Sequence, residues 1–233
     1  MLILLYVGLA ILLIGLIIAG TAYSRVRRII EKYDSQNITI GMNCLEFVNK
    51  CNQSFDLDLK LAVTEKELQD CYIPKKNVLV LNKKNVESCS ISAISVTGHE
   101  IGHAIQDKNG NFLLKLDSFF RKMYRILKIF ILPLIVCGIA FLFFDKYFNV
   151  GVICLLSVVG IWILSVITRL VTIPMEYEAS KIAYNILKEN HILTRSELKI
   201  TKKILNAAAL TYVGALFINL LNILISIKRS FRR

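Results

Sequence analysis

The sequence predicts an α+β integral membrane protein that is mainly helical, with three or four transmembrane helices and a small domain containing short strands. Of its 233 residues, 55% are hydrophobic and 20% are charged, whereas typical soluble domains have roughly 45–50% and about 25%. A transmembrane helix needs about 20 mainly apolar residues, and four runs of the chain approach this requirement. The apolar runs are residues 2–19, 126–144, 150–168 and 204–227.

The basic residues lie beside these apolar runs. Lys and Arg number 29 and Asp and Glu number 17, which gives a net charge of +12 at pH 7. Arg25, Arg27 and Arg28 follow the first run, and Arg121 and Arg125 precede the second. Basic residues at the ends of apolar helices are typical of contacts with anionic membrane surfaces. The pattern predicts membrane lipids as partners and argues against a nucleic-acid-binding protein.

The positions of the charges predict a multi-pass protein of the cell membrane. By the positive-inside rule, Arg25–Arg28 face the cytoplasm, the N-terminus faces outside, and residues 29–120 are cytoplasmic. The second and third runs then form a hairpin that returns the chain to the cytoplasm near Arg169. If the fourth run also spans the membrane, basic residues 228–233 lie outside, against the rule. The alternatives for the fourth run are a re-entrant segment, a helix packed inside the bundle, or an interfacial helix.

The polar segment contains helical and strand-like patterns. Hydrophobic spacing predicts a helix over residues 43–52, with Leu45 among its inward positions. Residues 57–63 alternate like a strand, and residues 77–82 predict a second strand. Lysines on both sides of 77–82 are typical of an edge strand. Residues 91–106 again have the spacing of a helix.

Residues 99–103 within this helix read His-Glu-Ile-Gly-His, an H-E-x-x-H pattern. On a helix, positions i and i+4 share one face, with Cβ atoms about 5–6 Å apart. His99 and His103 can therefore bind one zinc ion, while Glu100 reaches the metal-bound water. The alternative is a helix with two hydrogen-bonded histidines, one paired with Glu100. Because an accidental match in a chain of this length is expected in under about 1% of cases, the pattern favours a zinc cofactor.

Catalytic zinc takes three protein ligands and keeps an open position. The third histidine, His191, lies at an expected helix end, where a cap or dipole role is favoured. We therefore expect a carboxylate, and Glu176 and Glu178 follow the third apolar run. Glu176 shares a helix face with Ser180, and small neighbours allow a close approach of helices. Glu178 points about 200° away and is expected to meet solvent or a lysine. The alternative for Glu176 is a solvated carboxylate at a helix N-terminus.

Three motifs taken together resemble one family. HEIGHAIQD (99–107), TIPMEYEASKIA (172–183) and NAAALTYVGAL (206–216), with a hydrophobic hairpin after the first, resemble the neutral zinc metallopeptidases of bacterial membranes. CYIPKKNVLVLN (71–82) is also similar to that family's segment upstream of the zinc motif. The arrangement is further similar to the membrane gluzincins of the heat-shock and prenyl-protein endopeptidase type. The resemblance covers nearly the whole chain.

The resemblance implies a zinc site and a reaction class. It implies zinc on His99, His103 and Glu176, with Glu100 as the base. Ser180 stands where those relatives have an Asp, so a supporting carboxylate at that place is absent. We therefore expect a membrane-bound zinc endopeptidase of gluzincin type, which hydrolyses peptide bonds of membrane or membrane-proximal proteins.

The expected chemistry suggests further roles. Zinc acidifies water and polarises the scissile carbonyl, and Glu100 transfers the water's proton to the leaving amine. Tyr212 or Tyr177 is a candidate donor to the oxyanion, with packing or a membrane-interface position as the alternative for both. Ser180 or Gln106 is a candidate to orient a zinc ligand.

The topology predicts where the site and its substrate lie. The chain crosses the membrane twice between His99 and Glu176, so the two residues lie on the same side. The active site is therefore expected at the cytoplasmic membrane surface. Strand 77–82 is expected to offer an edge to an extended peptide, which would add to it by main-chain hydrogen bonds.

These expectations divide the chain into five parts. Pro174 either starts a new helix or kinks a continuing one, and Thr194 and Glu197 form a predicted capping box. The parts are a transmembrane anchor (1–24), a zincin-like domain with the H-E-x-x-H helix (29–120), a transmembrane hairpin (126–170), a third-ligand helix (172–192) and an apolar helix with a basic tail (195–233).

Other classes of function remain open at this point. One is a catalytically inactive zinc-binding membrane scaffold or assembly factor. Another is a metal-dependent membrane hydrolase or lipid enzyme that acts on something other than a peptide. A transporter is disfavoured, because only Asn219 and Asn222 offer intramembrane polarity in the fourth run.

Overall fold

The computed structural model describes residues 2–66 and 69–230, so residues 231–233 of the predicted basic tail lie outside the described residues. Within these ranges the protein is mainly helical with one small sheet, in agreement with the predicted fold class. The helices are α1 (Leu2–Tyr33), α2 (Cys44–Phe55), α3 (Lys83–Val86), α4 (Ile91–Lys108), α5 (Phe112–Leu127), α6 (Ile131–Leu142), α7 (Phe148–Glu189) and α8 (Arg195–Ser230). The strands are β1 (Lys60–Thr64), β2 (Cys71–Ile73) and β3 (Val78–Asn82).

The sheet has the strand order β1-β3-β2, with β1 parallel and β2 antiparallel to β3. Strand β3 is therefore central, and the expectation that residues 77–82 form an edge strand is wrong. The lysines before β3 lie in a tight turn, Pro74–Lys76, that joins it to β2. Strand β2, which the sequence analysis did not predict, is an edge of the sheet and contacts α4. Three residues are too short a run for alternation to be recognised.

Two local predictions in the polar segment need correction. Strand β1 starts at Lys60 instead of residue 57, because Asp56 and Asp58 have positive φ angles of 49° and 51°, which an extended strand excludes. Helix α2 forms where a helix was predicted, and Asn43 and Glu46 form a capping box at its start. Leu45, however, is exposed, and the helix buries Phe47 on its inward face.

Helix α4 lies at the centre of the domain and contacts α2, β2, α7 and α8. Ser90 caps it by accepting a hydrogen bond from the backbone N–H of Ala93. Ile94 and Ile101 are fully buried in the hydrophobic core. Because the helix is enclosed on several sides, its histidines are held in defined positions.

Helix α7 is one continuous helix of 42 residues with Pro174 inside it. Of the two alternatives, Pro174 thus lies in a continuing helix, and the predicted third-ligand segment is the C-terminal part of the helix that follows the hairpin turn. Helix α7 ends at Glu189, and His191 beyond it is exposed with a φ of 51°. His191 therefore belongs to the helix end, as predicted.

The capping box predicted at the start of α8 is confirmed. Glu197 accepts hydrogen bonds from the backbone N–H and hydroxyl of Thr194, at 2.7 and 2.8 Å. The same carboxylate accepts from the backbone N–H and hydroxyl of Thr39, at 2.7 and 2.8 Å. Glu197 thus connects the start of α8 to the segment between α1 and α2.

Among the described residues, two helical segments are long and apolar enough to cross a membrane: Phe112–Leu142 and Asp145–Glu189. In their most apolar windows only 6% and 28% of the residues are buried inside the protein. Apolar side chains this exposed are typical of contact with lipid rather than of a soluble core. Helices α1 and α8 pack against each other, but the count of three or four spans and the division into five parts stay predictions.

Candidate active site

Helices α4 and α7 pack closely because small residues face each other where they meet. A Cβ placed on Gly98 would contact Ala183, and one placed on Gly102 would meet the backbone of Ala179. This contact brings the face of α4 that carries the two motif histidines against the face of α7 that carries Glu176. The small residues of α7 thus allow α7 to pack closely against α4, as the sequence predicted.

The structure brings His99, His103 and Glu176 together. The Nε2 atoms of His99 and His103 lie 3.0 and 3.4 Å from Oε2 of Glu176. One ligand atom from each of the three residues lies within 4.8 Å of the others. His99 and Glu176 are only 8% and 4% exposed. The three side chains therefore form a compact cluster of two imidazoles and one carboxylate in the protein interior.

The cluster fits a zinc ion by its chemistry and spacing. Nitrogen and carboxylate oxygen atoms bound to tetrahedral zinc at about 2.0–2.1 Å lie about 3.3 Å from one another. The two nitrogen–oxygen separations in the cluster, 3.0 and 3.4 Å, are close to this value. Two His ligands and one Glu leave a fourth position open, which is typical of catalytic zinc.

Both histidines have a partner for the other ring nitrogen. Nδ1 of His99 lies 3.2 Å from the hydroxyl of Ser180, and Nδ1 of His103 lies 3.0 Å from Oε1 of Gln106. With the proton on Nδ1, each ring donates to that oxygen and presents the lone pair of Nε2 towards Glu176. Such partners fix the tautomer and orientation of metal-binding histidines. Ser180 and Gln106 thus contact the rings that they were expected to orient.

Glu178 was expected to meet solvent or a lysine, and it is half-buried with two side-chain amides in place of a lysine. Its carboxylate accepts hydrogen bonds from the amides of Gln106 and Asn111, at 3.1 and 2.8 Å. Gln106 is 1% exposed and also donates to the carbonyl of Met175 at 3.1 Å. The network connects the end of α4 to α7 and holds the side chain that contacts His103.

Glu100 is held by the edge of the sheet. Its Oε2 accepts a hydrogen bond from the backbone N–H of Tyr72 in β2, at 2.9 Å. The Tyr72 hydroxyl donates in turn to Asp107 on α4 at 2.8 Å. This contact was not predicted from the sequence, where the one available signal was the position of Tyr72 in the CYIPKKNVLVLN motif. Strand β2 thus lies beside Glu100, at the place where strand 77–82 was expected.

The electrostatics of the cluster follow from burial and from the opposite charges within it. Burial raises the pKa of Glu100 above its usual range, although His99, His103 and the Tyr72 N–H act against this shift. Burial acts to lower the pKa of His103, but the carboxylates of Glu176 and Glu100 outweigh it and raise that pKa.

Of the two candidate tyrosines, the structure brings Tyr212 to the cluster. Tyr212 lies on α8, near the carboxylates of Glu176 and Glu100. Tyr177 is 47% exposed and no hydrogen bond connects it to the described cluster. Tyr212 is therefore the candidate that lies near the cluster, and its role as a donor to the oxyanion stays a prediction.

An H-E-x-x-H pair on one helix with a carboxylate from a second helix is the arrangement of zinc metallopeptidases. The chain belongs to the family described as "Putative neutral zinc metallopeptidase", which matches residues 8–230. It is 31% identical over 223 residues to "Putative membrane protease YugP" of Bacillus subtilis (strain 168), with 94% of each chain covered. No solved structure matches the chain. The family predicted from the three motifs is thus confirmed.

Proposed function

We propose that the protein is a membrane-bound zinc endopeptidase of gluzincin type. The observation that carries this proposal is the convergence of both Nε2 atoms on Glu176, with each Nδ1 already paired. His99, His103 and Glu176 would hold the zinc. Family membership and the similarity to a protein named as a membrane protease support the reaction class.

The residues of the chain have distinct roles in the proposed reaction. Bound zinc supplies a Lewis acid that polarises the scissile carbonyl and acidifies a water molecule. Glu100 accepts the proton of the attacking water and delivers it to the leaving amine. The raised pKa of Glu100 suits this exchange, because a base that must also act as an acid works best near the operating pH. Tyr212 donates a hydrogen bond to the developing oxyanion.

The substrates are proposed to be membrane or membrane-proximal proteins, cleaved at the cytoplasmic surface. Support comes from α7, which carries Glu176 and is part of a candidate membrane span. Edge strand β2, beside Glu100, is the place where an extended peptide would add to the sheet.

The variant Glu100→Gln tests the proposed enzyme. It keeps the three ligands, so we expect zinc content equal to that of the wild type. Cleavage of a membrane protein co-reconstituted in liposomes should fall about 10²–10⁴-fold, because the proton acceptor is lost. The exposed Glu189→Gln on the same membrane preparation serves as the control. Identical behaviour of Glu100→Gln and wild type in cleavage would favour the inactive zinc-binding scaffold.

The proposed substrate class has its own test. Initial cleavage rates of a reconstituted membrane protein and of soluble casein are compared at equal molar concentration. We expect faster cleavage of the membrane protein, because the proposed site lies at the membrane surface. Equal rates would contradict the membrane-proximal specificity while leaving the peptidase reaction intact.

A further inference from the structure

A polar cavity of about 270 Å³ lies between α5 and α7, next to the helical turn that precedes Glu176. Two basic side chains of α5, the lysine directly after α5 and one arginine of α7 line it, together with hydroxyl groups. Thr172, at its inner end, is one helical turn before Glu176. The basic residues of the cavity are Arg121, Arg125, Lys128 and Arg169.

The positive charge of this basic cavity is mostly uncompensated. Asp117 is 2% exposed and accepts hydrogen bonds from Arg121 Nε at 2.5 Å and from the Thr172 hydroxyl at 2.6 Å. Arg125, Lys128 and Arg169 have no acidic partner in the part of the chain that the structure describes. Three cations facing one cavity favour an anion, and guanidinium groups match the geometry of phosphate oxygens.

An apolar groove of about 420 Å³ adjoins the basic cavity on the same pair of helical segments. Leu127 of its lining is next to Lys128, and Ile161 is one helical turn before Ser165 of the cavity. Phe130 and Leu134 continue the groove along the first candidate span. A phosphate-sized polar end followed by an apolar channel fits an amphiphile rather than a free inorganic ion.

The position of the two features in the hairpin points to the same class of ligand. Lys128 stands at the start of the apolar part of the first span, and Arg169 stands just after that of the second. The hairpin therefore places both at one membrane surface, where anionic lipid headgroups attract basic side chains. Ile129 and Leu132, which flank the groove residue Phe130 in the sequence, are each 69% exposed, as is typical of a lipid-facing surface.

We propose that the basic cavity and the apolar groove together bind one anionic phospholipid, with its phosphate among Arg125, Lys128 and Arg169 and an acyl chain in the groove. This lipid would hold α5 against α7, one helical turn before Glu176. The site does not depend on zinc or on peptidase activity, so it can be tested separately from the proposed function.

Native mass spectrometry of the full-length protein, released from micelles with phosphatidylglycerol or phosphatidylcholine, tests the proposal. We expect wild type to retain one phosphatidylglycerol with at least tenfold preference. The triple variant with Gln at Arg125, Lys128 and Arg169 should lose this preference. A charge-matched control carries Gln at Lys60, Lys75 and Lys76, which are exposed in the domain, and should keep it. Equal retention of both lipids by wild type, or equal loss in both variants, would overturn the proposal.

Gly160→Leu tests the groove without changing the charge or the cavity. A Cβ on Gly160 meets no atom within 4 Å, so the variant should fold, and its larger side chain would occupy the groove. We expect at least fivefold weaker retention of phosphatidylglycerol. Inorganic phosphate at millimolar concentration should fail to displace the lipid from wild type. Full displacement of the lipid by phosphate, or unchanged retention of phosphatidylglycerol by Gly160→Leu, would mean a free-phosphate site and would overturn the lipid assignment.

Discussion

A Cβ atom placed on Gly102 would lie 2.5 Å from the carbonyl oxygen of Ala179, a separation that real Cβ contacts essentially never show. Helices α4 and α7 are therefore as close at this point as glycine permits. Gly102 is one of the two unspecified positions of the H-E-x-x-H pattern, and Ala179 lies three residues after Glu176. Gly102, directly before the second motif histidine, thus sets the distance between α4 and α7, the helix that carries Glu176.

The variant Gly102→Ala should separate the two helices and weaken the cluster. We expect destabilisation of about 1–3 kcal/mol, as for other overpacked interiors, and at least tenfold weaker zinc binding. Gly98→Ala is the matched control, because the nearest atom to its Cβ would be a Leu187 side-chain carbon at 3.4 Å. Thermal unfolding in detergent and zinc titration measure the two effects. Equal behaviour of the two variants would contradict the role of the close contact.

Zinc stoichiometry tests the three proposed ligands. Plasma mass spectrometry of detergent-purified protein should find about one zinc per chain. His103→Ala should abolish zinc binding and Glu176→Ala should weaken it strongly, because three protein ligands are needed for a catalytic site. His191→Ala, which removes the exposed histidine at the end of α7, should bind zinc normally. An unchanged zinc content in both His103→Ala and Glu176→Ala would reject the site.

The partners of the ring nitrogens should influence zinc affinity without binding zinc. Gln106→Leu removes the acceptor at His103 Nδ1, and Ser180→Ala removes the one at His99 Nδ1. We expect each to weaken zinc binding about 10–100-fold, as is usual for such partners. Competition with a chromophoric chelator measures the affinity. Wild-type affinity in both variants would show that packing alone orients the rings.

Tyr212→Phe should slow the proposed reaction and leave zinc in place. Loss of one oxyanion donor typically lowers kcat about 10²–10³-fold, while KM should change little because the donor acts on developing charge. Tyr177→Phe, on an exposed side chain, should have normal kinetics. A Tyr212→Phe enzyme with unchanged kcat would assign Tyr212 to packing.

Glu197 should stabilise the fold in a pH-dependent manner. Burial acts to raise the pKa of Glu197, but hydrogen bonds from Thr194 and Thr39 outweigh it and lower that pKa. The stabilisation is therefore present above the unfolded pKa of about 4.3 and is lost as pH falls through the lower folded value. At pH 7, Glu197→Gln should lower the free energy of unfolding by about 1–3 kcal/mol. The NH₂ group of the glutamine would face the N–H and hydroxyl donors of Thr39 and Thr194. Chemical denaturation from pH 7 to 3 should show this difference shrinking, with exposed Glu189→Gln near wild type throughout. A constant difference would contradict the pKa explanation.

Features with local causes could be read from the amino-acid sequence. The spacing of His99 and His103 follows from 3.6 residues per helical turn, and Thr194 and Glu197 form their box across three residues. The apolar hairpin is a matter of composition over about 20 residues. Glu176 could be selected over Glu178 because the family motif and the helix face agreed, and the structure brings Glu176 to the two histidines.

Contacts between distant segments depended on how the elements pack. The hydrogen bond from Tyr72 to Glu100 joins residues 28 positions apart, and that from Gln106 to Glu178 joins residues 72 apart. No local pattern specifies such a pair, because its formation requires α4, α7 and the sheet to be in place together. The central position of β3 has the same origin, since alternation identifies a strand but not its neighbours. Helical periodicity thus predicted that His99 and His103 share one face, whereas packing brought Glu176 to them and set the groups that surround the cluster.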